Sequence, residues 1–168
     1  MAAHQGIYKL KKPEKYRGDP NNVVYRSSWE RRCFVWAERN DDVVQWSSEE
    51  VVIPYFYDID KKYHRYFTDL LLKMKDGRTI IVEIKPAKEV SPPVKPSRKT
   101  KRYITESLTY VKNQNKWEAA ASYCKDRGWA FEIWTENTLQ QFGILPKPIK
   151  KLKSMPKLKA IKTKPVKR

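Results

Sequence analysis

The sequence contains few of the residues that build metal-thiolate sites or membrane-spanning segments. Its two cysteines, Cys33 and Cys124, lie far apart and form no Cys-x-x-Cys pattern, and two histidines are available to join them. This argues against a structural zinc site and favours a reducing compartment. No apolar run approaches the length needed to cross a bilayer, and the charged beginning lacks the hydrophobic segment of a signal peptide. We therefore expect no membrane association and a cytoplasmic location, unless the chain is built into a larger particle.

Acidic residues are also scarce, most of all at the C-terminal end. Asp and Glu number 19 against 36 Lys and Arg, which gives a net charge of +17, and residues 146–168 contain ten of the basic residues and no acid. A chain with this balance is expected to bind a polyanion. Its length allows one domain with extensions. We interpret residues 1–20 as a basic N-terminal arm, 21–145 as the domain and 146–168 as a basic tail.

The order of the predicted elements indicates an α/β fold, with a mixed central sheet and flanking helices. The segment SSWERRCFVWAERN predicts a first helix, capped by one of its two serines. Residues 65–74 and 79–85 predict a hairpin that turns at Asp76-Gly77. The remaining predicted elements are strands at 43–46 and 50–57, a helix in the later part of 104–127 that Gly128 ends, the strand WAFEIW, and a short helix capped by Thr135.

Two stretches outside these elements are rich in Lys and Arg. Residues 86–102 hold four prolines and six basic residues against one acid, which predicts an extended, mobile loop. The tail alternates basic residues with prolines and single apolar residues, so it cannot build a core. We expect sequence-independent DNA contacts, since no helix-turn-helix or zinc finger is visible. The residues expected to make them are Lys95, Arg98, Lys99, Lys101, Arg102, Lys150, Lys151, Lys153, Lys157 and Lys159.

Three polar residues interrupt two otherwise apolar strands. Glu83 and Lys85 are two residues apart on one strand, so both point to the same face. Asp69 lies in the neighbouring strand, where an unpaired carboxylate would be costly to bury. Converging carboxylates favour a hard cation such as magnesium, and an adjacent lysine can orient a water or hold a phosphate. The three residues predict metal-assisted phosphodiester hydrolysis; an ordinary ion pair at the end of the sheet is the alternative.

The register of the hairpin decides whether these residues can meet. A two-residue turn at Asp76-Gly77 would place Asp69 and Glu83 on opposite faces. A three-residue loop, with Gly77 left-handed in a bulge, instead opposes Asp69 to Glu83 and leaves one face of the hairpin wholly apolar. We therefore predict the bulged turn, or an equivalent one-residue bulge, with both carboxylates near Lys85.

Glu30 is a fourth candidate, in the first turn of the first helix. Ser27 and Glu30 also fit a capping box, in which the glutamate reaches back to the Ser27 amide. The residues alone support a metal ligand and a helix cap equally.

Three segments, YRSSWERRCFVWAERN, HRYFTDLLLKMKDGRTIIVEIKP and YCKDRGWAFEIWTENTL, resemble a known family. They are similar to the PD-(D/E)XK endonuclease fold shared by TnsA, the endonuclease subunit of heteromeric transposases, and the head-completion nucleases of T-even-type tailed phages. The opening GIYK and the element YRGDP are closest to the phage family. The resemblance implies an active site made of Glu30, Asp69, Glu83 and Lys85, with Glu30 as a metal ligand. Thr68 stands where the proline of the motif would be.

The resemblance also implies an activity and partners. It implies an endodeoxyribonuclease that uses magnesium, or manganese in its place, and that cuts or trims packaged double-stranded DNA before a tail joins the filled head; exonuclease activity stays open. The expected partners are DNA and phage head or portal proteins, with no small-molecule cofactor. The expected location is the host cytoplasm during assembly and then the virion. The alternative is a non-catalytic, DNA-gripping protein at the portal that keeps the nuclease fold as a scaffold.

Overall fold

The computed structural model describes residues 4–148. The elements are β1 (Gly6–Ile7), a 3-10 turn (Pro13–Lys15), β2 (Val24–Tyr25), α1 (Ser28–Arg39), β3 (Val43–Ser47), β4 (Val52–Tyr57), β5 (Lys62–Phe67), β6 (Leu70–Met74), β7 (Thr79–Ile84), α2 (Ala87–Val90), α3 (Lys101–Asp126), β8 (Ala130–Trp134) and α4 (Glu136–Gln141). None of the helices in this part of the chain is long and apolar enough to cross a membrane.

A four-stranded mixed sheet in the order β3-β6-β7-β8 forms the centre of the domain. The pairs β3–β6 and β6–β7 are antiparallel, and β7–β8 is parallel. The long helix α3 supplies the crossover that parallel neighbours require. Two smaller antiparallel sheets, β1–β2 and β4–β5, complete the fold. The predicted α/β class with a mixed sheet and flanking helices is confirmed.

Alternate residues of the β6–β7 hairpin face two different cores, as the two-residue period of a strand requires. The first core lies beneath α1 and α4, and its hairpin residues are Leu70, Leu72, Ile80, Val82 and Ile84. The second core lies beneath α3 and the β4–β5 sheet, and its hairpin residues are Leu71 and Ile81. Asp69 and Glu83 belong to the second series. The predicted apolar face of the hairpin is therefore confirmed, and the carboxylates lie on the other side.

The hairpin has the predicted register. Leu70 pairs with Val82, so Asp69, one residue earlier, faces Glu83. Gly77 has a φ of 91°, a conformation that glycine adopts without strain. The three-residue loop with a bulge at the glycine is thus confirmed, and the two carboxylates are on one face.

Residues 65–74 do not form the single strand that was predicted. Residue Thr68 separates β5 from β6, and its backbone N–H donates to the carbonyl of Val51 at 3.1 Å, while its carbonyl accepts from the N–H of Glu49 at 3.0 Å. The chain leaves the β4–β5 sheet at this point and enters the central sheet. Asp69 consequently lies immediately before β6, at one end of the central sheet.

The interpretation of residues 1–20 as an arm is wrong for the part that the structure describes. The strand β1 pairs with β2, and Tyr8 and Tyr16 are buried. Both rings pack edge-on against Trp46, with centroid distances of 6.2 and 4.8 Å. The Tyr8 hydroxyl donates to Glu38 at 2.6 Å. Each tyrosine supplies apolar area together with a polar tip that finds a partner, so this segment completes the first core.

The expectation of a plain loop over residues 86–102 is wrong at both ends. The short helix α2 follows the proline, and α3 begins at Lys101, where Thr100 caps it by accepting from the N–H of Tyr103 at 3.1 Å. The helix is longer than predicted. Its first half has few apolar residues at helical spacing, so the sequence pattern did not indicate it. It ends as predicted before Gly128, whose φ is 67°. At α4, Thr135 is the cap residue but makes no side-chain cap hydrogen bond.

Candidate active site

The predicted polar residues gather at one end of the central sheet. Asp69 precedes β6, Glu83 lies near the end of β7, and Lys85 follows that strand. The first turn of α1 brings Glu30 towards them, and its charge contributes to raising the pKa of Asp69. The structure therefore unites residues that lie far apart in the sequence.

Glu83 is held by two partners in a buried setting. Only 2% of its surface is exposed. The hydroxyl of Tyr66 donates to Oε2 at 2.5 Å, and the Nζ of Lys85 lies 3.5 Å from Oε1. Burial and the charge of Glu83 raise the pKa of Tyr66, so the phenol remains a donor. No sequence pattern singles out Tyr66 for the site, because a tyrosine at strand spacing usually serves the core.

Asp69 lies where ionisation is unfavourable. Burial raises its pKa well above the ordinary value, and the charges of Glu83 and Glu30 raise it further. One oxygen, Oδ2, accepts the backbone N–H of Ile84 at 2.7 Å, which partly opposes these effects. Additional positive charge would stabilise the carboxylate form.

Burial alone would lower the pKa of Lys85, but the charges of Glu83 and Asp69 outweigh it, and the pKa is raised. Lys85 therefore stays an ammonium beside the carboxylates. It is the predicted lysine, and 27% of its side chain is exposed, so it is reachable from solvent.

Glu30 acts as a helix cap in the structure. The Ser27 hydroxyl accepts the N–H of Glu30 at 3.2 Å and donates to Oε1 of the same residue at 3.0 Å. The other oxygen, Oε2, accepts the backbone N–H of Arg26 at 2.7 Å, one residue before the predicted partner. Burial raises the pKa of Glu30. The capping alternative is thus present, on a carboxylate that also influences Asp69.

A second lysine, Lys116 of α3, reaches the same region and was missed by sequence analysis. Burial lowers its pKa, and the charge of Lys85 lowers it further, while those of Glu83 and Asp69 oppose the change. Its Nζ lies 5.2 Å from the centroid of the Tyr66 ring, within the range of a cation–π contact. Only the tertiary placement of α3 brings this residue to the site.

The chain is similar to known endonucleases. Residues 40–136 match the family model described as TnsA-like endonuclease N terminal. The chain belongs to the TnsA-like endonuclease N-terminal family. It is also similar to the head completion nuclease of Enterobacteria phage T4, with 43% identity over 145 residues, covering 84% of this chain and 97% of that protein. The predicted resemblance is confirmed.

The segment that matches the TnsA-like family contains three of the four predicted site residues. Asp69, Glu83 and Lys85 lie inside it, whereas Glu30 precedes it. Lys116 and Tyr66, which the structure adds to the site, also lie inside.

The donor set of this site suits a hard divalent cation. Carboxylate oxygens are the ligands that magnesium prefers, and Asp69 and Glu83 face each other with their charge only partly compensated. Within residues 4–148, no three side chains of His, Cys, Asp or Glu are close enough together to hold an ion as they are arranged. The carboxylate oxygens of Asp69 and Glu83 face each other, which suits a cation. Glu30 and Glu83, however, already have hydrogen-bond or ion-pair partners within the protein.

The basic residues predicted to contact DNA are only partly described. Lys95, Arg98 and Lys99 lie in the irregular segment before α3, and Lys101 and Arg102 lie in its first turn; all five are exposed. Arg102 pairs with Glu106 at 2.8 Å. The five predicted lysines from Lys150 to Lys159 lie outside the described residues.

Proposed function

We propose that this protein is a metal-dependent DNA endonuclease of the PD-(D/E)XK type that acts in phage head completion. One observation carries the proposal: Asp69 and Glu83 face each other at the end of the sheet, with Lys85 3.5 Å from Glu83, in a chain of the TnsA-like endonuclease family. The similar T4 protein is named for head completion, which supports the same setting for this chain.

Each residue has a role that its surroundings favour. Asp69 and Glu83 would hold a magnesium ion, for which manganese would substitute, and Glu30 would complete the acidic cluster. Such an ion supplies charge neutralisation and an activated water. Lys85 orients the attacking water or neutralises charge that develops on the scissile phosphate. Tyr66 fixes Glu83 through its hydroxyl.

The substrate and partners follow from the same proposal. The substrate is double-stranded DNA in the filled head, gripped by the exposed basic residues before α3 and by the tail through sequence-independent phosphate contacts. Phage head or portal proteins are the protein partners. The protein works in the host cytoplasm during assembly and is then incorporated in the virion.

A second candidate is a non-catalytic protein that grips DNA at the portal and keeps the fold as a scaffold. It is favoured by the engagement of Glu30 with its own helix terminus and of Glu83 with Tyr66 and Lys85. Fold alone does not decide between the two candidates.

A nicking assay on supercoiled plasmid DNA distinguishes these two candidate functions. We expect the purified protein to nick it with magnesium and not with EDTA. Asp69→Asn should abolish nicking, whereas Asp76→Asn, which changes an exposed aspartate in the turn of the same hairpin, should retain it. A protein that never nicks at any concentration, together with an Asp69→Asn variant that still completes heads, would exclude the enzyme.

A further inference from the structure

A cavity of about 620 Å³ lies between α3 and the segment that precedes it. Pro92, Pro93 and Val94 line one side, and Tyr110 and Asn113 of α3 line the other. The cavity therefore combines apolar surfaces with an amide side chain. Its volume lies in the range of pockets that hold small organic ligands.

Asn113 is the unusual member of this lining. It is 5% exposed, and its Nδ2 has no hydrogen-bond partner in the part of the chain that the structure describes. Buried amide groups in folded proteins are normally paired, because an unpaired donor loses its hydration without compensation. Among the described residues, the other two unpaired buried atoms belong to Trp46 and Trp117, which do not line the cavity. Asn113 thus places a buried, unpaired amide in the lining of the cavity.

The cavity adjoins the candidate active site through both of its walls. On α3, Asn113 lies one turn before Lys116, about 4.5 Å along the helix axis. On the other side, Lys88 and Glu89 of α2 line the cavity, and α2 begins two residues after Lys85. The charge of Glu89 also acts on Lys85. The cavity therefore adjoins the residues proposed for catalysis.

We propose that this cavity takes one unpaired nucleotide of the DNA strand being cut, with its base against the apolar wall and hydrogen-bonded to the amide of Asn113. The proposal rests on the proposed nuclease function. A base offers a flat apolar face and a polar edge, which match the two kinds of surface present. Lys88 and Arg102 line the cavity together with Glu89 and Glu106, so its lining carries no net charge and suits a neutral base.

The same chemistry predicts a preference for an unpaired nucleotide rather than for a particular base sequence. A base in a duplex is stacked and paired, so it must leave the helix to enter a concave site, and it does so most readily where pairing is already absent. An amide presents both a donor and an acceptor and can therefore meet the edge of any base. The expected selectivity is for DNA with a bulged, mismatched or terminal unpaired nucleotide.

The test compares two short duplexes of the same sequence, one fully paired and one with a single unpaired nucleotide beside the cut. We expect the protein to cleave the second about tenfold faster, the value of roughly one hydrogen bond and one stacking contact. Asn113→Ala should bring this ratio close to one. Gln114→Ala, which removes a neighbouring amide that does not line the cavity, should leave the ratio unchanged.

Asn113→Leu distinguishes a ligand site from a structural defect, because it replaces the unpaired amide with an apolar group of similar size. We expect a higher melting temperature and loss of the preference for the unpaired substrate. A higher melting temperature with the preference retained would overturn the proposal. So would equal cleavage of the two duplexes by the unaltered protein while plasmid nicking persists; absence of all nicking would instead overturn the nuclease function.

A binding measurement tests whether the unpaired base enters the cavity, without requiring cleavage. The Asp69→Asn protein is mixed, without metal, with the duplex that carries 2-aminopurine as the unpaired base. We expect a change in its fluorescence that adding Asn113→Leu removes. No change with the first protein, or the same change with both, would overturn the proposal.

Discussion

The two faces of the β6–β7 hairpin use the same strands for opposite purposes. The face beneath α1 and α4 is apolar along its whole length and is sealed by aromatic rings around Trp46. The face beneath α3 is apolar only in its middle, at Leu71 and Ile81, and becomes charged at the end of the sheet. The face beneath α1 and α4 stabilises the fold. The face beneath α3 holds buried carboxylates, whose ionisation destabilises the folded state. Four changes to the chain test this difference.

The largest expected effect is that of Asp69→Asn on the charged face. We expect nicking to fall by about 10²–10³-fold, as when an electrostatic contributor to catalysis is removed. The same variant should melt a few degrees higher at neutral pH, because burial and Glu83 raise the pKa of Asp69 and its ionisation destabilises the folded state.

The pH dependence checks the cause of that gain. The folded-state pKa of Asp69 is raised, so the cost of its ionisation grows as the pH rises through the range above about 4 and vanishes below it. The difference in melting temperature between Asp69→Asn and the unaltered protein should therefore shrink as the pH falls towards about 4. Melting curves at several pH values measure it; a constant difference would contradict the explanation.

On the apolar face, Leu72→Ala should mainly affect stability. Leu72 is 1% exposed in the first core, so the substitution should lower the free energy of unfolding by about 2–5 kcal/mol. Leu108→Ala, at a leucine of α3 that is 40% exposed, is the control and should change it by about 0.5 kcal/mol at most. Urea denaturation gives both values. Cleavage per folded Leu72→Ala molecule should be unchanged, and a large loss would mean that the two faces are not separable.

Tyr66→Phe tests the border between the apolar middle and the charged end of the α3 face, because this buried residue belongs to the second core and also donates to Glu83. Removing the hydroxyl should destabilise the protein by about 1.5–3 kcal/mol, the range for hydrogen bonds to charged groups. It should also slow cleavage about tenfold by loosening Glu83. Tyr63→Phe, at a ring that is 76% exposed, is the matched control and should do neither. Unchanged cleavage by Tyr66→Phe would limit this tyrosine to a structural role.

Removal of residues 146–168 should have the smallest effect on the chemistry. Ile144 packs in the first core, so the tail follows directly from that side of the domain. If the tail binds phosphates, its removal weakens DNA binding and flattens the dependence of log K on log salt, by about 0.9 for each phosphate that the tail neutralises. Cleavage at saturating DNA should not change. An unchanged salt slope would indicate that the tail serves a protein partner.

The hairpin shows how much local sequence can specify. The glycine after Asp76 and the alternation of apolar residues give the loop length, the register and the facing of Asp69 and Glu83, because all of these depend on neighbouring residues. The capped first helix was also predictable, as Ser27 and Glu30 satisfy one turn locally. The break at Thr68 was not, because the apolar pattern continues across it while the chain changes sheets.

Local sequence patterns predicted most strands of the central sheet, the register of the hairpin and the pairing of an aspartate with a Glu-x-Lys motif, since each follows from interactions between residues close along the chain. Tertiary packing brings Tyr66 to Glu83, Lys116 to the site and Asn113 to the lining of a cavity beside it, and no local pattern indicates these contacts. The first half of α3 has little apolar signal, so no pattern indicates where it lies. The second half of the helix packs on Leu71 and Ile81, and this packing brings Lys116 near the carboxylates.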